Sequence, residues 1–353
     1  MKKLMFSLVI GALSFVSAHC CAANEHSKTS QLRYESQVND GSTVEEKRLW
    51  LSETLMPEIT GRWLPKITRF DRQWQSTSSL NAAQELVRSM GNWLWLNSKN
   101  AMKTLKDWDD RPTYWARLQL SKIIHTKKPN FTLSTTEQTR LLELLEEHSR
   151  GRKDLNFTEN TPLKILVTGF DPFLLDKNIK QGNPSGVAAL ALDGKVIEIN
   201  GLQAEINTVL VPVRWQDFDA GEIERLLTPF YQTNAVDMIV TISQGRSEFD
   251  LERFPARRRS SLALDNLRGF SGGTAENPLP VTLNGKLLKG EEFVEFSLPA
   301  AAMMRAKGKY KINDNDKVTT LQKGQVSGLT LTDLQKMTAV AGSGGGYMSN
   351  EIS

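Results

Sequence analysis

The sequence predicts an α/β protein in which a small all-α domain precedes a three-layer α/β/α domain with a mostly parallel central sheet. Before about residue 150, apolar residues recur at intervals of three and four, as in amphipathic helices. After about residue 163, short apolar runs alternate with helix-like segments, the pattern of layered α/β folds. The chain has 353 residues, about twice a usual domain length of roughly 150, which favours two domains.

The composition is that of an ordinary globular protein. It contains 39% hydrophobic and 24% charged residues, which excludes a disordered chain or a collagen-like repeat. Its 44 basic residues stand against 40 acidic ones, without the one-sided excess of a dedicated nucleic-acid binder. No segment approaches the roughly 20 apolar residues of a membrane-spanning helix. We therefore expect neither a nucleic-acid partner nor a transmembrane segment.

The first 23 residues have the pattern of a secretion signal. Two lysines near the start precede an apolar run over residues 5–16, and small residues follow Cys21. We expect residues 1–23 to be removed as a signal peptide, which predicts a periplasmic or secreted protein. Lipid attachment at Cys20 or Cys21 is the less favoured alternative, because His19 is not a small residue.

Both cysteines of the chain lie in this predicted signal peptide. The mature chain is then expected to have no disulfide, no cysteine metal site and no cysteine nucleophile. His125 and His148 have no Cys, Asp or His at i+4 ligand spacing. The sequence therefore predicts no metal or organic cofactor.

A helical, tryptophan-rich domain is predicted over residues 46–152. Residues 24–45 precede it as a polar, flexible leader. Within the domain, residues 81–95 and 135–149 have the three-and-four spacing of amphipathic helices. Seven of the eight tryptophans fall in this domain. We expect most of them to pack in its core.

The alternative is an aromatic surface for a carbohydrate or another partner. Trp93 and Trp95 are separated by about 200 degrees around a helix, so both cannot line one face. At most one of this pair is then free to contact a ligand.

Residues 153–162 have the composition of a linker, and the α/β domain is assigned to residues 163–353. Ligands of parallel α/β sheets bind past the carboxyl ends of the strands, so the loops after these strands are where a site is expected. The predicted elements are strands at residues 164–168, 206–213 and 236–242 and helices at residues 185–192 and 218–231.

Two of these loops carry recognisable strings. The first contains Thr-Gly-Phe-Asp-Pro-Phe at residues 168–173, followed by Asn-Pro-Ser at 183–185. The third strand is followed by Gly-Arg-Ser at 245–247 and Glu-Arg at 252–253. In their order and spacing these strings resemble pyroglutamyl peptidase I, the pyrrolidone-carboxylate peptidase family of cysteine peptidases. The resemblance covers about residues 164–353 and leaves the helical domain outside.

This resemblance implies a pyrrolidone-carboxylate-peptidase-like fold and an omega peptidase that removes an amino-terminal pyroglutamyl residue from a peptide. The lactam of that residue carries no charge, so its pocket must be neutral, with flat apolar walls. By resemblance, Phe170 and Phe173 stack on the lactam, and Gln244 and Gly245 line the site. The alternative for the two phenylalanines is that they are core residues at a strand end.

The catalytic set of the family is Glu, Cys and His. By resemblance its Glu falls on Glu252, for which the alternative is a surface carboxylate paired with Arg253. Its Cys position is occupied by Ser349, inside the glycine-rich string at residues 342–350. A serine depends on a base to take its proton, yet all four histidines precede the α/β domain. We expect the chain to be truncated, with the histidine beyond Ser353.

Other features of the domain differ from the family pattern or lie outside its motifs. A buried strand predicted at residues 337–341 would place Ser349 on a strand-to-helix turn. Leucines stand at 174 and 175 where the family has glycines, and this bulk near the mouth of the pocket suggests a changed substrate. The arginines at 257–259 are interpreted as a solvated face, with an anion site as the alternative. Residues 285–325 are expected to form an exposed excursion.

Three hypotheses follow from the sequence. The first is a hydrolase that removes a pyroglutamyl or related blocked residue, with Ser349 as nucleophile and Glu252 orienting a histidine. The second is a catalytically inactive homologue that binds lactam-capped peptides. The third is that a truncated chain leaves a sheet edge exposed and does not fold stably. The expected partner is a peptide, and the resemblance also allows a homo-oligomer.

Overall fold

The computed structural model describes residues 41–353 apart from residues 106–107, 160, 234, 246–247 and 284. The predicted signal peptide and residues 24–40 of the predicted leader therefore lie outside the described residues. Among the helices that are described, none has the length and apolar character needed to cross a membrane.

The described residues between 44 and 149 form a bundle of helices. Ser79 caps the longest helix by accepting from the amide of Ala82, and Ser134 forms a capping box with Glu137 at the last helix. The helices are α1 (Val44–Lys47), α2 (Leu49–Leu55), α3 (Pro57–Thr60), α4 (Leu64–Ser76), α5 (Leu80–Asn100), α6 (Arg111–Thr126) and α7 (Thr135–Ser149), with a π-helical turn at Ala101–Leu105 after α5.

The apolar stripes of these helices meet in one core. On α5, Ala83, Val87, Met90 and Leu94 are all buried, at the spacing that predicted this helix. The predicted helix at 135–149 is confirmed as α7. The interpretation of the tryptophans as packing residues is confirmed for three of them that are at most 1% exposed, namely Trp74, Trp95 and Trp115.

The main sheet has the strand order β2–β3–β1–β4. Strand β1 pairs in parallel with both β3 and β4, and β2 pairs antiparallel with β3. The prediction of a mixed α/β protein with a mostly parallel sheet and a helical amino-terminal region is therefore confirmed. The strands are β1 (Leu163–Phe170), β2 (Lys195–Ile199), β3 (Leu202–Val211) and β4 (Met238–Thr241).

Three helices connect these strands, namely α8 (Pro184–Leu192), α9 (Trp215–Asp219) and α10 (Glu222–Thr233). The single helix predicted at residues 218–231 is wrong, because the chain turns at Gly221, whose φ of +76° is not helical. Helix α8 packs closely on β1, since a Cβ on Gly169 would lie 2.8 Å from the carbonyl carbon of Ser185.

Both faces of the sheet are covered. Leu210 of β3 packs with Ala189 and Leu190 of α8, whereas its neighbours Val209 and Val211 pack on the opposite side with α9 and α10. This alternation is the period of two that a strand requires.

The second half of the α/β region consists of short elements. Strands β5 (Phe249–Glu252) and β10 (Ile312–Asn315) pair in parallel. The remaining elements are β6 (Arg258–Arg259), β7 (Leu279–Pro280), β8 (Thr282–Leu283), β9 (Lys286–Leu287), α11 (Ala300–Met303), β11 (Val318–Thr320), β12 (Gly324–Val326), α12 (Leu331–Leu334), β13 (Ala339–Ala341) and α13 (Met348–Ile352).

Two expectations for this half can be compared with the structure. The stretch from 285 to 325 is largely exposed, as expected, but it also contributes β10 and β11, and Phe293 within it is fully buried. The basic run is not a solvated face: Arg257 and Arg258 pair with Glu292, and Arg259 is only 5% exposed.

Of the two leucines after the first motif, Leu175 lies elsewhere than expected. Leu175 is buried in a core cluster with Met56 and Tyr114 of the helical region, so its side chain does not form a pocket mouth. The helical region thus packs directly against the loop that follows β1.

Candidate active site

The end of β1 and the loop that follows it carry the two phenylalanines predicted to hold a substrate. Phe170 is 4% exposed and packs with Val211 and Trp215 in the core, so its ring lies beneath the surface. Phe173 is half-buried, and its ring stacks on Tyr347 with 6.1 Å between centroids and 27° between planes. Phe173 and Tyr347 are therefore the partly accessible ring pair at this end of the sheet.

Tyr347 is held from two other sides. Trp215 meets it edge-on with 5.1 Å between centroids, and its hydroxyl donates to the carbonyl of Leu264 at 3.3 Å. Burial raises the pKa of Tyr347, so the phenol stays neutral at physiological pH. The result is an uncharged aromatic wall beside Phe173.

Asp171, between the two phenylalanines, is buried and attaches this loop to the helical region. Its carboxylate accepts from Nη1 of Arg117 at 3.0 and 3.1 Å and forms an ion pair with Arg150 at 2.7 Å. All three side chains are 2% exposed. Because both arginines belong to the helical region, that region holds the loop in place.

The Asn-Pro-Ser string fixes the same loop from the start of α8. The side-chain amide of Asn183 donates to the carbonyl of Asp171 at 2.8 Å, and its oxygen accepts from the amide of Ser185 as the helix cap. The amide of Asn183 donates to the buried carboxyl group of Asp110 at 3.0 Å. Burial raises the pKa of Asp110 to about 8. This string therefore positions the loop and does not line an open site.

Glu252 stands at the carboxyl end of β5. Its carboxyl group contacts Gly344, because a Cβ on that glycine would lie 2.7 Å from Cδ of Glu252. Burial raises the pKa of Glu252 to about 7, a hydrogen bond with Ser243 opposes that shift, and the negative charge of Asp250 adds to it. The pairing of Glu252 with Arg253 is not found, since Arg253 pairs with Asp314 at 2.7 Å.

Ser349 lies in the first turn of α13, six residues after the glycine-rich turn begins at Ser343. Its hydroxyl donates to the carbonyl oxygen of Gly344 at 3.0 Å. Gly344 thus contacts Glu252 on one side and Ser349 on the other. The strand predicted at 337–341 is present in shortened form as β13. Ser349 lies within α13, after the turn that joins β13 to this helix and not on the turn itself.

Hydrogen bonds fasten this turn to the segment after Glu252. The amide of Ser343 donates to the carbonyl of Phe254 at 3.0 Å, and its hydroxyl accepts from the amide of Phe254 at 3.1 Å. The side chain of Asn350 accepts from the amide of Ala256 at 2.8 Å and donates to its carbonyl at 2.7 Å. These contacts keep Glu252 and Ser349 in a fixed relationship.

Gln244 and Gly245 follow β4 and are exposed. They lie past the carboxyl end of a parallel strand, where a ligand site is expected. Residues 246–247, which follow them, are outside the described residues. Within the part of the chain that is described, no group of three or more His, Cys, Asp or Glu side chains has an arrangement that could hold a metal ion.

Sequence reasoning missed several residues that shape this site. Tyr347 lies directly after the glycine-rich turn, so its aromatic side chain next to Gly346 was a usable signal. Asp110 precedes an Arg-Pro pair at a helix start, which indicates a cap but not its contact with Asn183. Nothing in the local pattern around Arg117 indicates its pairing with Asp171.

Comparison with known proteins gives two partial family matches and one curated relative. The family models PA0049 N-terminal domain and PA0049, C-terminal domain match residues 23–146 and 164–282. The Uncharacterized protein PA0049 of Pseudomonas aeruginosa is 32% identical over 171 residues, which is 44% of this chain and 31% of that protein. The chain therefore spans about a third of the length of this relative.

The crystal structure of Pf-PCP(1-204)-C is also similar to this chain. The sequence identity is 23%, the TM-score is 0.30, and the match covers 40% of this chain and 57% of that chain.

Proposed function

We propose that this protein is a pyroglutamyl-peptidase-like hydrolase that removes an amino-terminal pyroglutamyl, or related blocked, residue from peptides. The observation that carries the proposal is that Glu252 and Ser349 meet at Gly344 although 97 residues separate them in sequence. These are the two positions that the family resemblance selects. The secretion-signal pattern supports a periplasmic or extracellular location for this activity.

The reaction proceeds by acyl transfer. The hydroxyl oxygen of Ser349 bonds to the carbonyl carbon of the blocked residue, and its proton passes to a base. The bond from that carbon to the peptide nitrogen breaks, and the amine leaves with the proton. Water then hydrolyses the ester and releases the pyroglutamyl acid.

Glu252 is the group proposed to drive proton removal. A serine hydroxyl does not ionise usefully, so it requires a base nearby. The most effective base has a pKa near the working pH, and burial places that of Glu252 at about 7. Its carboxylate acts on Ser349 through a bridging water, or it orients a histidine that acts on Ser349. The second arrangement is the one that the family resemblance implies.

The proposed pocket for the lactam lies against Phe173, over the buried ring of Phe170, with Gln244 and Gly245 at the sheet edge. The neutral ring of Tyr347 supports this assignment, because an uncharged lactam gains from apolar contact and needs no charged partner in its pocket.

A second candidate is an inactive homologue that binds lactam-capped peptides. One observation favours it: the hydroxyl of Ser349 donates to a main-chain carbonyl rather than to a base. Binding without turnover is the property that separates this candidate from the first.

The test is release of nitroaniline from pyroglutamyl-p-nitroanilide, compared with alanyl-p-nitroanilide. The hydrolase is expected to cleave the first substrate selectively, and Ser349→Ala should lose about a thousandfold or more in kcat. The exposed Ser327→Ala is the matched control and should keep full activity. Calorimetric binding of a pyroglutamyl peptide without cleavage would establish the second candidate, and neither binding nor cleavage would refute both.

A further inference from the structure

A basic loop at residues 304–311 connects α11 to β10, and every residue in it is exposed. Its four cations are Arg305, Lys307, Lys309 and Lys311. No Asp or Glu occurs between residues 296 and 313. The charge of this segment is therefore all of one sign.

These four cations have no internal counterion. Within the described part of the chain, none of them forms an ion pair with a carboxylate. The arginine run differs in this respect, because Arg257 and Arg258 both pair with Glu292. Like charges that lie close together repel one another, and an external anion relieves that repulsion. The loop is thus suited to an anionic partner.

Two exposed aromatic rings lie beside the loop cations. Phe249, at the start of β5, is 62% exposed, and Tyr310 is 52% exposed. Their ring centroids are 6.0 Å apart, and the amide of Phe249 donates to the carbonyl of Lys311 at 3.2 Å. Nζ of Lys309 lies 5.2 Å from the ring centroid of Tyr310. Residues 304–311 and Phe249 therefore form one continuous surface, named here the basic-aromatic surface.

Nearby carboxylates reduce the positive charge of this surface but do not cancel it. The carboxylates that flank Phe249 in sequence are Glu248 and Asp250, and the side-chain amide of Asn313 donates to both, at 3.1 and 3.2 Å. Asp314 of β10 pairs instead with Arg253, at 2.7 Å. Four cations against two carboxylates leave an excess of positive charge.

We propose that the basic-aromatic surface binds the surface of an anionic membrane. Lysine and arginine side chains are attracted to anionic headgroups, and aromatic rings suit the boundary between headgroups and acyl chains. Met304, which is 38% exposed, adds an apolar side chain at the start of the loop. The exposed apolar groups of Met304 and Phe249 favour a lipid over a nucleic acid, because they gain from contact with acyl chains.

This surface is separate from the proposed hydrolase site. Phe249 and Glu252 stand at opposite ends of β5, about 10 Å apart at the usual rise of a strand. Lipid binding and peptide cleavage therefore use different residues, and each can be lost without the other.

Co-sedimentation with lipid vesicles tests the proposal. Vesicles of two parts phosphatidylcholine to one part phosphatidylglycerol are compared with vesicles of phosphatidylcholine alone. The full chain should bind the anionic vesicles about tenfold or more tightly, and added salt should weaken that binding by screening. The neutral vesicles report any lipid affinity of the apolar run at residues 5–16. Equal affinity for the two kinds of vesicle, or no binding to either, overturns the proposal.

Paired lysine variants assign the binding to this surface. Lys307→Ala with Lys309→Ala should lower the affinity for anionic vesicles about 25-fold, at about fivefold for each cation. Lys177→Ala with Lys180→Ala is the matched control, because it removes the same charge from exposed positions in the loop after β1; it should change the affinity by less than about twofold. Equal losses from both pairs would show that net charge alone drives binding, and would overturn the assignment.

An aromatic variant and a competitor distinguish a lipid from a nucleic acid. Phe249→Ala with Tyr310→Ala should lower the affinity for anionic vesicles about tenfold, because the rings no longer enter the headgroup boundary. Unchanged affinity would overturn the role of the rings. Duplex DNA of mixed sequence should compete weakly with the vesicles, and tighter binding to the DNA would overturn the lipid assignment.

Ser349→Ala keeps this test distinct from that of the hydrolase. Ser349 lies outside the basic-aromatic surface, so this variant should bind anionic vesicles as the wild type does even when it has lost all cleavage. Loss of vesicle binding in Ser349→Ala would contradict the independence of the two sites.

Discussion

The guanidinium of Arg117 donates to both carboxylate oxygens of Asp171, across the contact between the helical region and the loop after β1. Arg150 completes this cluster on the other side of the carboxylate. Buried ion pairs contribute little net stability, but removing one partner leaves a charge without compensation. The cluster therefore fixes how the helical region sits on the first motif loop.

Replacement of Arg117 by Leu is expected to lower the free energy of unfolding by about 3–5 kcal/mol, because Asp171 loses a buried partner. Urea denaturation measures the change. Arg88→Leu is the control, since its pair with Glu85 is exposed and of the i,i+3 type, and it should cost no more than about 1 kcal/mol. Equal losses in the free energy of unfolding would show that the buried pair contributes no more to stability than the exposed pair.

Asp110→Asn is expected to flatten the pH dependence of stability. The pKa of this buried carboxyl group is raised from 3.8 to about 8. Between these values the unfolded chain has released the proton and the folded protein has kept it, so stability falls as pH rises and the cost is complete above pH 8. An asparagine cannot ionise and avoids this cost.

Thermal unfolding at pH 5 and at pH 8 checks this expectation. Relative to the wild type, Asp110→Asn should gain stability on going from pH 5 to pH 8. Identical pH dependence in the two proteins would mean that Asp110 is ionised throughout and acts as an anionic cap for Asn183 and α8.

If the proposed hydrolase is correct, kcat/KM should rise with pH and reach half of its maximum near pH 7. The reason is that Glu252 must be deprotonated to accept a proton, and its pKa is about 7. Glu252→Gln should remove most of the activity. Asp250→Asn should move the midpoint to lower pH, because the charge of Asp250 raises the pKa of Glu252. If Asp250→Asn does not change the pH at which kcat/KM is half-maximal, then a group other than Glu252 sets that pH.

Gly344→Ala is expected to disturb the candidate site directly. A Cβ at this position collides with the carboxyl group of Glu252, so either the turn or Glu252 must move, at a cost of about 1–3 kcal/mol. Gly308→Ala is a matched control, since its nearest atom is 3.9 Å away and its φ is not positive; it should change stability by at most about 0.5 kcal/mol. Differential scanning calorimetry compares both, and equal melting temperatures would contradict the close approach.

The fold class and several of the main helices and strands follow from the amino-acid sequence alone. The helix predicted at 135–149 agrees with α7 to the residue, and the strand predicted at 164–168 lies within β1. Such predictions succeed because side-chain period is local: a helix repeats its buried face every 3.6 residues and a strand every two. The motif strings likewise selected Glu252 and Ser349 without any structure.

Which of these residues meet depends on tertiary packing. Asp171 binds an arginine 54 residues away, and Arg257 pairs with a glutamate 35 residues away. A run of arginines has the same local pattern whether it faces water or a buried carboxylate, so sequence reasoning assigned it to solvent. The meeting of Glu252 and Ser349 at Gly344 depends in the same way on how β5 and the last turn dock. Docking is set by long-range complementarity of shape and charge, which no local repeat records.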